Sequence, residues 1–318
     1  MRKLHCTSIN RKLEENEAEF IRRSEYNYHK QIETVANSIA DSRKKKPIIL
    51  LSGPSGAGKT TTALRLEDYL DGRGIETHTI SMDDYFLPID PETAVKDENG
   101  EIDYESPMRL DIPLLNEHML KISNCEEVEI PDFDFAGQIR KKGRAFKRKP
   151  GELVVFEGIH ALNPQVTGLT DSFANFVYVS VRTRIETRTG GLLHPSHIRL
   201  MRRIIRDKFF RGREVESTIE MFKNVERGEN RFIMPFKYRA EYSIDTFHPY
   251  ELSVYKKFLY GDLKSEEHKF KDFDNYGLML EVLEELNGVC IDNVPDDSLV
   301  REFIGGSRFK SVSYTHLR

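Results

Sequence analysis

Residues 47–60 read Pro47-Ile48-Ile49-Leu50-Leu51-Ser52-Gly53-Pro54-Ser55-Gly56-Ala57-Gly58-Lys59-Thr60. The first five form an apolar run suited to a buried strand. The last eight fit G-x-x-x-x-G-K-[ST], a loop whose glycines let the backbone turn so that successive N–H groups point inward at a polyphosphate. After it, Ala63, Leu64, Leu66 and Leu70 recur at helical spacing between Thr61 and Leu70, and the positive end of such a helix strengthens an anion site. Strand, glycine loop and helix is the context the motif requires. Gly53, Ser55, Gly56, Ala57, Gly58, Lys59, Thr60 and Thr61 are therefore the candidate cofactor-binding residues. Lys59 is suited to the outer phosphates of ATP, and the Thr60 hydroxyl to Mg²⁺.

The chain of 318 residues is long enough for one large α/β domain with additions, or for two domains. Hydrophobic residues make up 38% and charged residues 31%, the balance of a soluble globular chain. A net charge of −4 argues against nucleic acid as the partner. The three cysteines, Cys6, Cys125 and Cys290, are far apart and in no C-x-x-C, which fits a reducing cytoplasm and excludes a disulfide scaffold. No apolar run approaches the ~20 residues that span a bilayer, and no apolar segment of a secretory signal follows Met1-Arg2-Lys3.

The pattern divides the chain into four parts. Residues 1–46 read as a solvated helical extension, helical from Glu14 to Ala40 and ending in Arg43-Lys44-Lys45-Lys46. Residues 47–246 alternate strand and helix, with strands expected at Ile75–Ile80, Val128–Ile130, Leu153–Phe156 and Phe176–Val181. Helices are expected at Asp111–Ile122 and, with Ser196 as N-cap, at Ser196–Phe210. Alternating βα units predict a mostly parallel sheet with helices on both faces. Residues 247–307 read as a small C-terminal helical region, and 308–318 as a disordered or non-native tail. Asp90 to Tyr104 reads as a surface loop. Arg140 to Lys149, with seven basic residues in ten, reads as a solvated hairpin or loop, or as a means of concentrating anionic ATP.

In open α/β sheets ligands bind beyond the carboxyl ends of strands, and four stretches fall there. Ser81-Met82-Asp83-Asp84-Tyr85-Phe86 offers a carboxylate to hold or deprotonate an attacking hydroxyl, or merely a solvated acidic loop. Glu105, in Tyr104-Glu105-Ser106-Pro107, can accept from sugar hydroxyls. Phe133 and Phe135, in Ile130-Pro131-Asp132-Phe133-Asp134-Phe135, can stack on a base or pack in the core. Glu157 ends an apolar strand, Val154-Val155-Phe156-Glu157, and suits Mg²⁺ through water. Farther on, Arg203, Arg206 and Arg213 fall on roughly one face of a helix, from where they can neutralise a transferring phosphoryl group. Gly212 would break that helix and allow hinge motion. No Asn-Lys-x-Asp stretch of a guanine-specific GTPase is present.

Taken in order, these residues resemble the uridine kinase/phosphoribulokinase family of P-loop kinases, over about Pro47 to Thr246. The resemblance implies a P-loop NTPase fold with a helical lid at about 190–230, ATP and Mg²⁺ as cofactors, and a nucleoside as substrate. It places Asp83 at the family's Ser-x-Asp aspartate, facing the nucleoside hydroxyl, with Tyr85 nearby in the substrate site. Glu105 takes the place of the ribose-binding aspartate and Glu157 that of the Phe-Glu-Gly glutamate. Arg202 to Arg213 match the lid's Arg-Arg-x-x-Arg-Asp…Arg-Gly-Arg. Phe133 stands where the family has a tyrosine, and Gln138 where it has a base-reading histidine, so the identity of the base is open. Gly190 to Pro195 is longer than in compact uridine kinases. The N-terminal extension, and the end at Arg301-Glu302-Phe303-Ile304-Gly305-Gly306-Ser307, resemble a larger bacterial nucleoside kinase-like group. The resemblance also implies a cytoplasmic enzyme of pyrimidine salvage, often a homo-oligomer. Two alternatives stand beside it: a kinase for a sugar phosphate or pantothenate, and an inactive nucleotide- or RNA-binding protein.

Overall fold

The computed structural model describes residues 2–309 apart from 91, 93, 99 and 136. Residues 310–318 of the expected tail lie outside the described residues. At the centre lie five strands: β1 (Ile48–Ser52), β2 (Thr77–Ser81), β3 (Leu153–Glu157), β4 (Ala174–Ser180) and β5 (Tyr242–Asp245). All neighbours are parallel, in the order β5-β4-β1-β3-β2. The middle strand, β1, is apolar on both faces because both are covered. Ile49 and Leu51 enter a core with Leu153, Val155, Val177 and Val179. Ile48 and Leu50 enter the other, with Val154, Phe156, Phe176 and Tyr178. A continuous apolar run is the signature of such a doubly covered parallel strand.

The register aligns the carboxyl ends: Leu51 pairs with Glu157, and Ser81 with the same Glu157. The strand that feeds the phosphate loop, β1, its neighbour β3 and the next strand out, β2, therefore end at one level. The loop runs into the helix Lys59–Asp71, and the helix Ile112–Ser123 is capped by Asp111, whose carboxylate accepts from the Leu114 N–H at 3.2 Å.

The expected strand Val128–Ile130 is longer and lies elsewhere. Glu127–Asp134 pairs antiparallel with Ile139–Lys147 as a separate hairpin, irregular between Ile130 and Asp132. Its alternation of exposed Glu127 and Glu129 with buried Val128 and Ile130 is the period-two pattern of a one-sided sheet. The basic run from Arg140 supplies its outer strand, largely exposed.

The N-terminal segment is not solvated all round. Helix Cys6–Ser42 buries Ile9, Leu13, Ile21, Tyr28, Ile32, Val35 and Ile39 in the first core. It breaks at Asn16, whose side-chain oxygen accepts from the Glu19 N–H at 3.0 Å and so caps the longer second part. The Tyr28 hydroxyl meets Thr62 Oγ1 at 2.7 Å on the phosphate-loop helix. Arg2–His5 adds a parallel strand beside Thr183–Glu186. The C-terminal helices Glu251–Glu266 and Tyr276–Glu285 join the same core.

Two helices, Pro195–Arg211 and Val215–Phe232, cover the carboxyl ends of the strands, joined through Gly212 in the left-handed conformation. The cap of the first is His194, whose Nδ1 accepts from the Ser196 N–H at 3.2 Å. Ser196 lies two positions past the cap, because Pro195, with no N–H to satisfy, takes the first helical place. Arg213 lies beyond the helix end and is exposed, so it does not share a helical face with Arg203 and Arg206.

A candidate active site beneath two covering helices

The phosphate loop holds its shape through close approach of the elements around it. Gly58 has φ +78°, and a Cβ there would lie 2.5 Å from Leu299 Cδ1. The Lys59 ammonium donates to the Pro54 carbonyl at 3.4 Å. Arg199, missed in the sequence reading, donates to the Ser55 carbonyl at 2.8 Å and forms a two-pronged pair with Glu229 at 2.6 and 2.7 Å. Glu229 in turn accepts from the Ser55 N–H at 3.1 Å, and Arg203 donates to the Ser55 hydroxyl. The two covering helices are thus tied both to each other and to the loop. The Thr61 hydroxyl and N–H donate to Glu302 at 2.5 and 3.4 Å, so a phosphate oxygen at Thr61 must replace that carboxylate.

Next to the loop, Thr60 Oγ1 and Ser81 Oγ both donate to Glu157 Oε1, at 3.3 and 3.4 Å. Burial pushes the Glu157 carboxyl up to about 7; Lys59 pulls against this, while Asp83 and Glu302 add to it. A hard cation would relieve this buried acidic group, and hydroxyl and carboxylate oxygens are the donors it takes. Thr60 and Glu157 fit Mg²⁺ on that ground.

Asp83 is the second residue of the one-turn helix Met82–Tyr85, its N–H donated to Ser81 Oγ at 3.3 Å. Burial raises its carboxyl above the ordinary range, with Lys59, then Arg211 and Arg109, holding it back. Lys59 is the positive charge that acts most strongly on it, so loop and aspartate share one electrostatic site. Glu105 sits against Gly228 of the second covering helix, where a Cβ would come within 2.3 Å of the glutamate's own Cβ. Burial pushes Glu105 up to about 7; Arg203 opposes this, and Glu229 adds to it. Arg206 donates to Asp207 at 3.0 Å, and Arg211 donates to the same carboxylate at 3.2 Å.

Three expected site residues sit differently. Tyr85 is fully buried, its hydroxyl on His118 Nδ1 at 3.1 Å, so it packs the second core and presents nothing to a ligand. Phe133 is 2% exposed in an edge-to-face trio with Phe86 and Phe135; it belongs to the second core, and Phe135 is the half-buried member. Gln138, at φ +52°, spends its amide within the protein: Nε2 donates to the Phe135 carbonyl at 2.8 Å, and Oε1 accepts from Arg109 at 3.3 Å.

A family model, phosphoribulokinase/uridine kinase, matches residues 48–252, more than half of the chain. The chain belongs to that family. It is a family of kinases, and the parallel sheet with its phosphate loop is the P-loop kinase fold. A uridine kinase of Staphylococcus aureus is 30% identical over 199 residues, 62% of this chain and 86% of that protein. One from Anoxybacillus flavithermus is 29% identical over 201 residues, 62% and 85%. The solved structure of a possible uridine kinase from Bacillus stearothermophilus is 16% identical, covers 68% of this chain and 98% of that one, and has a TM-score of 0.47. The family match includes the sheet, the loop and both covering helices, and leaves outside it the N-terminal helix and the C-terminal helix Tyr276–Glu285. No helix among the described residues is long and apolar enough to cross a membrane.

Proposed function

We propose that the protein transfers the γ-phosphoryl group of ATP to the 5′-hydroxyl of a nucleoside, uridine or cytidine, in cytoplasmic pyrimidine salvage. The observation that carries the reading is Asp83: a carboxyl raised by burial, beside the charge of Lys59, at the strand end next to the loop. The two relatives described above are named uridine kinases. The catalytic unit on this reading is residues 47–246, with about 190–230 as its lid.

Asp83 accepts the proton of the hydroxyl as its oxygen bonds to the γ-phosphorus and the bond to the bridging oxygen breaks. A base is most effective when its pKa lies near the working pH, and burial moves Asp83 upward from the ordinary carboxylate range. Lys59 and the loop N–H groups hold the phosphates, and Arg203 and Arg206 offset charge on the transferring group. Thr60 and Glu157 hold Mg²⁺, which supplies further neutralisation when bound. The covering helices exclude water and so limit hydrolysis. Glu105 accepts from the ribose hydroxyls.

An acceptor panel with labelled ATP tests this directly. Phosphorylation of uridine or cytidine is the expected result. Transfer only to a sugar phosphate or to pantothenate overturns the nucleoside assignment, and RNA binding without transfer to any acceptor overturns the kinase assignment for this chain.

The Glu105 carboxyl also sets a pH dependence. Its folded-state value, about 7, lies above the ordinary 4.5. The folded state therefore holds this proton more tightly than the unfolded chain. Its stabilising contribution is present at low pH and is lost as pH rises through about 7. Binding of ribose hydroxyls favours the ionised acceptor, so the nucleoside KM should fall as pH rises through the same range. KM measured against pH for the wild type and Glu105→Gln checks this: the step belongs to the wild type and is absent from the variant.

A further inference from the structure

Arg109 closes the short turn Pro107–Arg109, and nothing in the phosphoryl-transfer scheme above uses it. Its guanidinium carbon stands 5.0 Å from the Phe86 ring centroid and 5.4 Å from that of Tyr104. Two aromatic faces so placed hold a planar cation and limit its rotation. Nη2 donates to Gln138 Oε1 at 3.3 Å. Since Gln138 Nε2 is bound to the Phe135 carbonyl, the glutamine oxygen is the end turned to the arginine. Among the described residues no carboxylate lies within 4.0 Å of the guanidinium. Its charge acts on Asp83, as does that of the phosphate loop's own cation, Lys59, so both cations share the electrostatic surroundings of that carboxylate. The group is half-buried and positively charged, and among the described residues it is matched by one neutral oxygen.

Resting on the nucleoside reading, we propose that Arg109 selects the acceptor by donating hydrogen bonds to an oxygen-bearing edge, the carbonyl side of a uracil-type base, and that Gln138 positions Arg109 instead of reading the base. A guanidinium has donors and no acceptor. A carbonyl edge satisfies it, whereas the exocyclic amino group of cytosine would set donor against donor. A site with a buried donor discriminates strongly against a ligand that leaves it unpaired. A carboxylate or phosphate on a different alcohol offers the same oxygen chemistry.

Steady-state kinetics on the full chain test the proposal, with uridine, cytidine and ribose 5-phosphate as acceptors and with the variants Arg109→Ala, Arg109→Lys and Gln138→Ala. The wild type should favour uridine over cytidine by about tenfold or more in kcat/KM, the size of one such interaction. Arg109→Ala should raise the uridine KM by a similar factor, bring the uridine-to-cytidine ratio near one, and leave the KM for ATP unchanged. Arg109→Lys should recover part of the ratio, because it keeps the charge and loses the planar fork. Gln138→Ala should lower the ratio less than Arg109→Ala. A fold defect would move the ATP KM and both nucleosides together, and that result, or an unchanged uridine KM, overturns the proposal. If the wild type accepts no nucleoside, the nucleoside reading fails by itself. Transfer to ribose 5-phosphate that Arg109→Ala abolishes then keeps Arg109 as the acceptor-binding group, and transfer insensitive to Arg109→Ala removes it.

Discussion

Asp83→Asn is expected to leave ATP binding intact and to lower kcat by about 10²–10⁴-fold, the span of a positioned general base. Asparagine has the same shape, so the turn Met82–Tyr85 and its Ser81 cap should survive. Its amide cannot take up the hydroxyl proton. Removing the negative charge also relieves the crowding of Asp83 on Glu157, so Mg²⁺–ATP binding should hold or tighten slightly. Calorimetry with ATP and a non-reacting analogue gives the affinity, and single-turnover mixing gives the chemical step. A variant with wild-type turnover would take Asp83 out of the mechanism. Loss of ATP affinity in step with turnover would instead assign the residue to the nucleotide.

Much of the sheet and loop was legible because their signals are local. The apolar run before Gly53, the glycines themselves and the strand end at Glu157 each depend on a few neighbouring residues. The hairpin was harder. Only three of the eight residues of Glu127–Asp134 read as strand, since the irregularity at Ile130/Asp132 breaks the alternation. The N-terminal helix read as solvated because its apolar stripe is interrupted by Ser24 and Glu25, both buried. Glu25 is tolerated there by partners that no local reading supplies: the hydroxyls of Tyr250 at 2.5 Å and Ser298 at 2.7 Å, and His248 at 3.4 Å. The site divides in the same way. Lys59, Thr60 and Asp83 announce themselves by motif. Arg109, Arg199, Glu229 and Glu302 become visible only when the chain folds, because Thr61 meets Glu302 across 241 positions and Arg199 meets the Ser55 carbonyl across 144. Tyr85 shows the converse: its place two residues after Asp83 suggests a ligand contact, and the pairing of its hydroxyl with His118 makes it core.

Arg202→Met should have the largest effect on stability, a loss of about 3–5 kcal/mol. Arg202 and Glu251 are wholly buried and joined by two bonds, Nε to Oε2 at 2.8 Å and Nη2 to Oε1 at 3.0 Å. Arg202 also donates to the Gly56 carbonyl at 3.1 Å and the Thr246 carbonyl at 2.8 Å, and it lies over the Phe303 ring. One side chain therefore links the first covering helix, the phosphate loop and the C-terminal region. Methionine fills comparable space but leaves the Glu251 carboxylate buried with only neutral donors, among them the Tyr255 hydroxyl at 3.1 Å. An uncompensated buried charge is the costly state; replacing both partners by apolar groups is often neutral. Arg202→Met/Glu251→Leu should therefore recover most of the loss in urea denaturation. It should not recover the loop geometry, because the bond to the Gly56 carbonyl stays absent, so ATP affinity should remain weakened in the double variant. A single variant within about 1 kcal/mol of the wild type, below the range for a broken buried pair, would mean that Glu251 is relieved by water or by a proton. Recovery of ATP affinity along with stability would mean that Arg202 acts on the loop only through the fold.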